Sequence, residues 1–166
     1  MEAFLQYFAG VNRRAVRDIG GLPVAAERWN PPVAADGERG WTIAQLVAHM
    51  AASRLFFAAA YRGEGWHAEP WPAPCRTRED WVVALNDSAQ LMAVRLSGTP
   101  EDWLTRRLPS IEGGEQRISG WRVLMMGTEH DVHHRSQIDT YAGIACWEVQ
   151  QIFGRRAEEV GLSPLE

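Results

Sequence analysis

Between Gly127 and Asp139 the chain reads G-T-E-H-D-V-H-H-R-S-Q-I-D, which places His130, His133 and His134 within five residues. His49 and His67 complete its five histidines. A helix turns by about 100° per residue, so His130 and His134 stand only about 40° apart on one face. Val123, Gly127, Ile138 and Tyr141 share that arc, which should face a core, while Arg135 and Asp139 fall on the opposite side. His133 lies at the edge of the arc. On an earlier helix, His49 shares its face with Leu46, Ser53, Phe56 and Ala60 and points the same way.

A lone inward histidine is ordinarily a hydrogen-bonded core residue. Three together are different, because each buried imidazole without a partner costs about 1–3 kcal/mol. One shared divalent cation satisfies all three. Neutral imidazole nitrogens bind such ions at about 2.0–2.1 Å, and three protein ligands leave a position open. Metal sites of this kind are built from side chains on facing helices. His49, His130 and His134 are therefore the expected ligands, with Gly127 leaving room above the ion. His133 is assigned to supporting or surface duty and His67 to an ordinary loop.

An open three-histidine centre supports two chemistries. It can acidify a bound water for hydrolysis, or hold a small thiol as thiolate for transfer to an electrophile. A hydrolase usually adds a general base beside the metal. Asp131 lies off the inward arc and Glu129 farther still, which tilts the reading toward thiol transfer. Tyr141, about two turns beyond His134, is a candidate substrate contact. The non-catalytic alternative is a bundle with a structural metal that acts as a dimer, with Leu124, Met125 and Val132 as a second apolar face. A structural site normally closes with a fourth protein ligand, and neither cysteine is spaced to provide one.

These side chains need helices to position them. Phe4, Phe8, Val11, Ala15 and Ile19 repeat at helical intervals over residues 2–19, stopped by Gly20-Gly21-Leu22-Pro23. A loop to Gly40 carries Asn30-Pro31-Pro32 and Asp36-Gly37, with Trp29 as its anchor. Thr42-Ile43-Ala44-Gln45 has the capping-box form, flanked by Trp41 and Leu46 in staple positions. That helix should reach Tyr61 and end at Arg62-Gly63. The connection Glu69-Pro-Trp-Pro-Ala-Pro74 leads to a third helix opened by Thr77-Arg78-Glu79-Asp80. Its stripe is Trp81, Leu85, Ser88, Leu91, Met92 and Leu96, with Gly98 as its end. Thr99–Asp102 opens a short turn, and residues 104–118 read as a small hairpin or irregular crossover. A fourth helix is expected from Ser119 to Ala142, with Gly143 as its stop, and a fifth over Trp147–Val160. The whole is an all-α bundle in a single domain, residues 1–166.

Composition bounds the rest. The chain has 166 residues, 46% apolar and 23% charged, enough for a core without disulfides. A net charge of −4 and scattered arginines disfavour nucleic acid. No run of about 20 apolar residues is evident, so no membrane span is expected. Cys75 and Cys146 are expected as free thiols, which suits a cytoplasmic setting. Eight tryptophans suggest a ring-built core, pocket or subunit interface.

Two motifs, Trp41-Thr-Ile-Ala-Gln-Leu-Val-Ala-His49 and Glu129-His-Asp-Val-His-His-Arg-Ser-Gln-Ile138, with Glu27-Arg-Trp-Asn-Pro31 before them, resemble the DinB/YfiT-like family of bacterial metal-binding bundles. The resemblance implies an up-down-down-up four-helix bundle, often a homodimer. It implies His49, His130 and His134 as ligands of one divalent ion (zinc first; nickel, iron or manganese as others), with His133 outside the set. It also implies a stress or detoxification role as a thiol-dependent S-transferase acting on small electrophiles, or as a metal-dependent hydrolase. The family often has an acid four residues after the first histidine, where this chain has Ser53.

Overall fold

Four long helices carry the chain: α1 (Glu2–Gly20), α2 (Ile43–Arg62), α3 (Arg78–Leu96) and α4 (Gly120–Ile144). The computed structural model describes residues 1–33, 37–68, 70, 75–155 and 158–161. Asp36 and most of the proline-rich connection (Glu69 and residues 71–74) lie outside the described residues. The expected capping boxes form at both predicted starts. The Thr42 hydroxyl accepts from the Gln45 N–H while the Gln45 side chain accepts from the Thr42 N–H. Thr77 and Asp80 do the same for α3. Gly63, at φ 80°, ends α2 in the left-handed conformation that glycine adopts without strain.

Helix α1 buries the expected face, Phe4, Phe8, Val11, Ala15 and Ile19. It packs mainly on α3, and α2 packs on both α3 and α4. Two apolar clusters result. One gathers Ile19, Val47, Met50, Trp81, Leu85 and Ile138. The other gathers Phe8, Phe57, Tyr61, Met92, Leu96 and Val123. The starts of α1 and α4 lie in the second cluster, and the starts of α2 and α3 in the first. Trp29 packs against the first cluster as anticipated, 5.1 Å from the Tyr141 ring.

Between the clusters, buried polar residues from all four helices occur at matching heights: Asn12, Arg54, Ser88 and Asp131. Arg54 Nε and Nη2 donate to the two Asp131 carboxylate oxygens, each at 2.9 Å. Its third nitrogen donates to Ser88 Oγ at 3.0 Å and to the Leu85 carbonyl. The guanidinium also sits 5.3 Å from the Phe8 ring centre. One side chain of α2 thus reaches α1, α3 and α4.

Several expectations change. Residues 147–155 form turns and irregular chain rather than a fifth helix, and the described residues beyond them include a 3-10 turn at Glu158–Val160. Arg17 Nη2 donates to the carbonyls of Gln151 and Ile152, tying that non-helical chain to α1. Helix α4 runs through Gly143 to Ile144. Its end is made by Cys146 at φ 58°, with the Cys146 N–H bonded to Gly143 O and the Trp147 N–H to Ala142 O. That is the double bond pattern of a left-handed helix cap, normally assigned to glycine.

Arg135, on the side of α4 opposite the histidine arc, is nevertheless 5% exposed, with Asp18 of α1 beside it, Nε to Oδ2 3.7 Å. Leu124, expected on an outer face, is buried in this chain's own core, whereas Val132 is exposed. Leu91, assigned to the buried stripe of α3, is 50% exposed. The expected hairpin is present: β1 (Arg107–Pro109) pairs antiparallel with β2 (Arg117–Ser119). The expected short turn is a 3-10 helix at Glu101–Leu104. Contrary to the sequence expectation, α2 is long and apolar enough to cross a membrane, but 72% of that window is buried inside the bundle. It is the helix on which both α3 and α4 pack.

Candidate metal centre

Helix α2 presents His49 about two turns after its capped start, and α4 presents His130 and His134 on successive turns. The three rings meet. His49 Nε2 lies 3.0 Å from His130 Nε2, and His134 Nε2 lies 3.1 Å from that same atom. All three candidate ligand atoms fall within 4.8 Å of one another. An imidazole nitrogen has one in-plane site, occupied by either a hydrogen or a lone pair. His130 Nε2 therefore cannot make two good hydrogen bonds to two nitrogens. Nitrogens held on one tetrahedral zinc ion are separated by roughly 3.3 Å, given bonds of about 2.0–2.1 Å. The two separations from His130 are within a few tenths of an ångström of that value and the third pair lies within 4.8 Å, so the three nitrogens are grouped closely enough to share one divalent ion after a small adjustment of the rings.

The electrostatics agree. Burial, followed by the neighbouring His134 and His49, pushes His130 down to about 4. Burial and His134 lower His49. Burial also lowers His134, against an upward pull from Gln137. Three neutral rings keep the lone pairs that a cation requires. The His134 Nδ1–H donates to Gln137 Oε1 at 2.6 Å, which fixes the tautomer that leaves Nε2 free to ligate. Gln137 is a functional residue that the histidine pattern alone does not reveal; its signal in the sequence is its spacing, three residues after His134 on a helix.

The other predicted residues separate. His133 is exposed, its ring 4.9 Å from that of His134, and lies outside the cluster. His67 is an exposed loop residue. Tyr141 is half-buried and lines a cavity of about 310 Å³ together with Gly40, Trp41, Leu46, His134 and Gln137. Asp131 does lie off the histidine arc, but it is 2% exposed and committed to Arg54 rather than turned to solvent. Glu129 pairs with Arg122 on the surface. Gly127 makes room for Phe57 instead of for the ion: a Cβ there would meet Phe57 Cβ and Cγ at 3.1 Å.

Trp41 does more than a helix staple. Its ring edge meets His49 at 4.8 Å between centres and stacks near His134 at 6.5 Å, covering one side of the histidines. On the other side, His49 and His130 open into a cavity of about 360 Å³ walled by Ala52, Ser53, Phe56, Phe57, Ala68 and Ile111. The loop after α2, through Ala68, and the hairpin, through Ile111, both contribute. Ser53 is 8% exposed and forms part of this wall. Cys75 and Cys146 are free and outside the cluster.

The family model described as the DinB family matches residues 1–152 of the chain. A search of curated proteins gives no match.

Proposed function

Since the chain belongs to the DinB family, we propose that it is a divalent-metal S-transferase that joins a low-molecular-weight thiol to a small electrophile. The observation that carries this reading is the convergence of His49 and His134 on His130 Nε2 at 3.0 and 3.1 Å. When bound, a metal ion, zinc by preference for this donor set, would supply Lewis acidity that favours a thiolate at neutral pH. The sulfur then attacks the electrophilic carbon: an S–C bond forms, the leaving group departs with its bonding pair, and the thiol proton passes to solvent.

The chain's own groups serve this reaction by position. Gln137 orients His134, Trp41 covers one flank, and Arg54 with Asp131 holds α2 and α4 in register. Phe56, Phe57 and Ile111 keep the reacting region poor in water, which strengthens local electrostatics. Hydrolysis through an activated water is less well supported, because the nearby carboxylates Asp131 and Glu129 are each engaged by an arginine. A purely structural metal is also less well supported, since among the described residues the cluster has three ligands and no fourth.

In this reading the helix starts, α1 and α4 at one end and α2 and α3 at the other, trace an up-down-down-up course. The protein acts as a homodimer in a reducing, cytoplasmic compartment, in keeping with its two free thiols. The test is thiol-dependent consumption of a chromogenic electrophile by the zinc-loaded protein, alongside ester and amide panels. Turnover that needs thiol and vanishes in His49→Ala supports transfer; ester hydrolysis without thiol would replace it.

A further inference from the structure

We infer that the cavity on the His49–His130 side takes an uncharged, ring-sized organic molecule, and that Phe56 and Ile111 determine this choice. In calling that molecule the electrophile, the inference rests on the transferase reading; its binding does not. At about 360 Å³ the cavity is at the small end of ligand sites, which span roughly 300–1,000 Å³. Among the described residues that line it, none is Asp, Glu, Lys or Arg. Its polar groups are two neutral imidazoles and the Ser53 hydroxyl. The lining side chains offer a carboxylate or phosphate no cation to replace the water it would lose, so apart from an ion held by the histidines nothing in the wall favours a charged ligand.

The walls are shaped for a ring. Phe56 and Phe57 stand edge to face, their centres 5.4 Å apart at 86°, and such surfaces accept a further aromatic group in tilted or offset contact. Trp66 packs 5.3 Å from Phe56 and donates its Nε1–H to the Pro109 carbonyl at 3.0 Å. That bond ties the loop after α2 to β1. It carries the hairpin turn, and with it Ile111, to the cavity mouth. An apolar side chain 48% exposed at that position has a reason to be there if it closes over an apolar guest. The separate cavity beside His134 has the Gln137 amide and the Tyr141 hydroxyl in its wall, and so suits the polar body of a thiol. The two reactants would then approach from different flanks.

The experiment compares 4-nitrotoluene with 4-nitrobenzoate, which match in ring size and differ in charge. Both quench tryptophan emission. The full chain is titrated after chelation, so that no bound metal can recruit the carboxylate, by fluorescence and by calorimetry. The uncharged probe should bind about tenfold tighter, and Phe56→Ala should weaken it about tenfold. Ile111→Arg, on an exposed turn and checked for intact unfolding, should reverse the order by giving the carboxylate a partner. Equal affinities, preference for the carboxylate, no binding of either probe, or an unchanged order in Ile111→Arg would each overturn the inference. The titration involves no thiol, so binding without transfer activity would remove the proposed function alone. Transfer to charged and uncharged substrates at equal rates would remove this inference alone.

Discussion

Arg54 of α2 and Asp131 of α4 meet as a two-armed ion pair, 2.9 Å at both contacts, with side chains only 1% and 2% exposed. Asp131 is the residue after His130, so the pair fixes the height and rotation of α4 beside α2 where the histidines must converge. A buried pair is often no more stabilising than a matched apolar one, yet removing one partner strands a charge. Asp131→Ala should therefore cost about 3–5 kcal/mol in urea unfolding, and Arg54→Met in the same chain should recover much of the loss. If Asp131→Ala unfolds like the parent, the pair has no such role.

Each ligand histidine is predicted to be necessary for metal binding. His49→Ala, His130→Ala and His134→Ala should each reduce bound zinc from about one ion per chain to a small fraction, because two imidazoles make a weak site. His133→Ala should retain the parent stoichiometry. Elemental analysis after dialysis against a weak chelator distinguishes these outcomes. Retention of a full ion in His49→Ala would show that α2 supplies no ligand.

Gln137 acts through His134. Gln137→Leu should lower zinc affinity about 10–100-fold by releasing the ring orientation and tautomer. Competition with a chromophoric chelator measures this directly. Gln137→Glu should hold or improve affinity, since a carboxylate accepts the same Nδ1–H more strongly.

The metal-free protein should lose stability in mild acid. His130 falls from 6.5 to about 4 on folding, with burial first among the causes, and His49 and His134 are lowered too. A lowered histidine binds fewer protons folded than unfolded, so its contribution is complete above the unfolded value. It is lost as pH falls from about 6.5 toward about 4. The Tm of the chelated protein should drop between pH 7.5 and pH 5, and His130→Gln should flatten that dependence. A Tm independent of pH across this window would contradict the burial of neutral rings.

Local sequence signals predicted local structure well. Thr42 with Gln45, Thr77 with Asp80 and Gly63 mark helix ends where short-range hydrogen bonds decide them, and each appears as expected. The inward phase of His49, His130 and His134 was also legible, because helical periodicity fixes which residues share a face. Failures occurred where another element intervened. The buried positions of Arg135 and Asp131 depend on Asp18 and Arg54, which lie far away in the chain. The end of α4 passed Gly143 because Cys146 took the left-handed cap. Residues 147–155 left the helical state where Arg17 offers hydrogen bonds from α1.

The sequence by itself determined four helices, the capped starts of α2 and α3, and three histidines on two inward faces, since each follows from the 3.6-residue repeat and from bonds between near neighbours. Only the tertiary structure decided that His130 Nε2 would face both other rings, that Gln137 would orient one of them, and that Trp41 and the Phe56–Ile111 wall would enclose opposite sides. Those relations depend on the height and rotation of one helix against another. Packing around the buried Arg54–Asp131 pair sets these, and no local pattern encodes them.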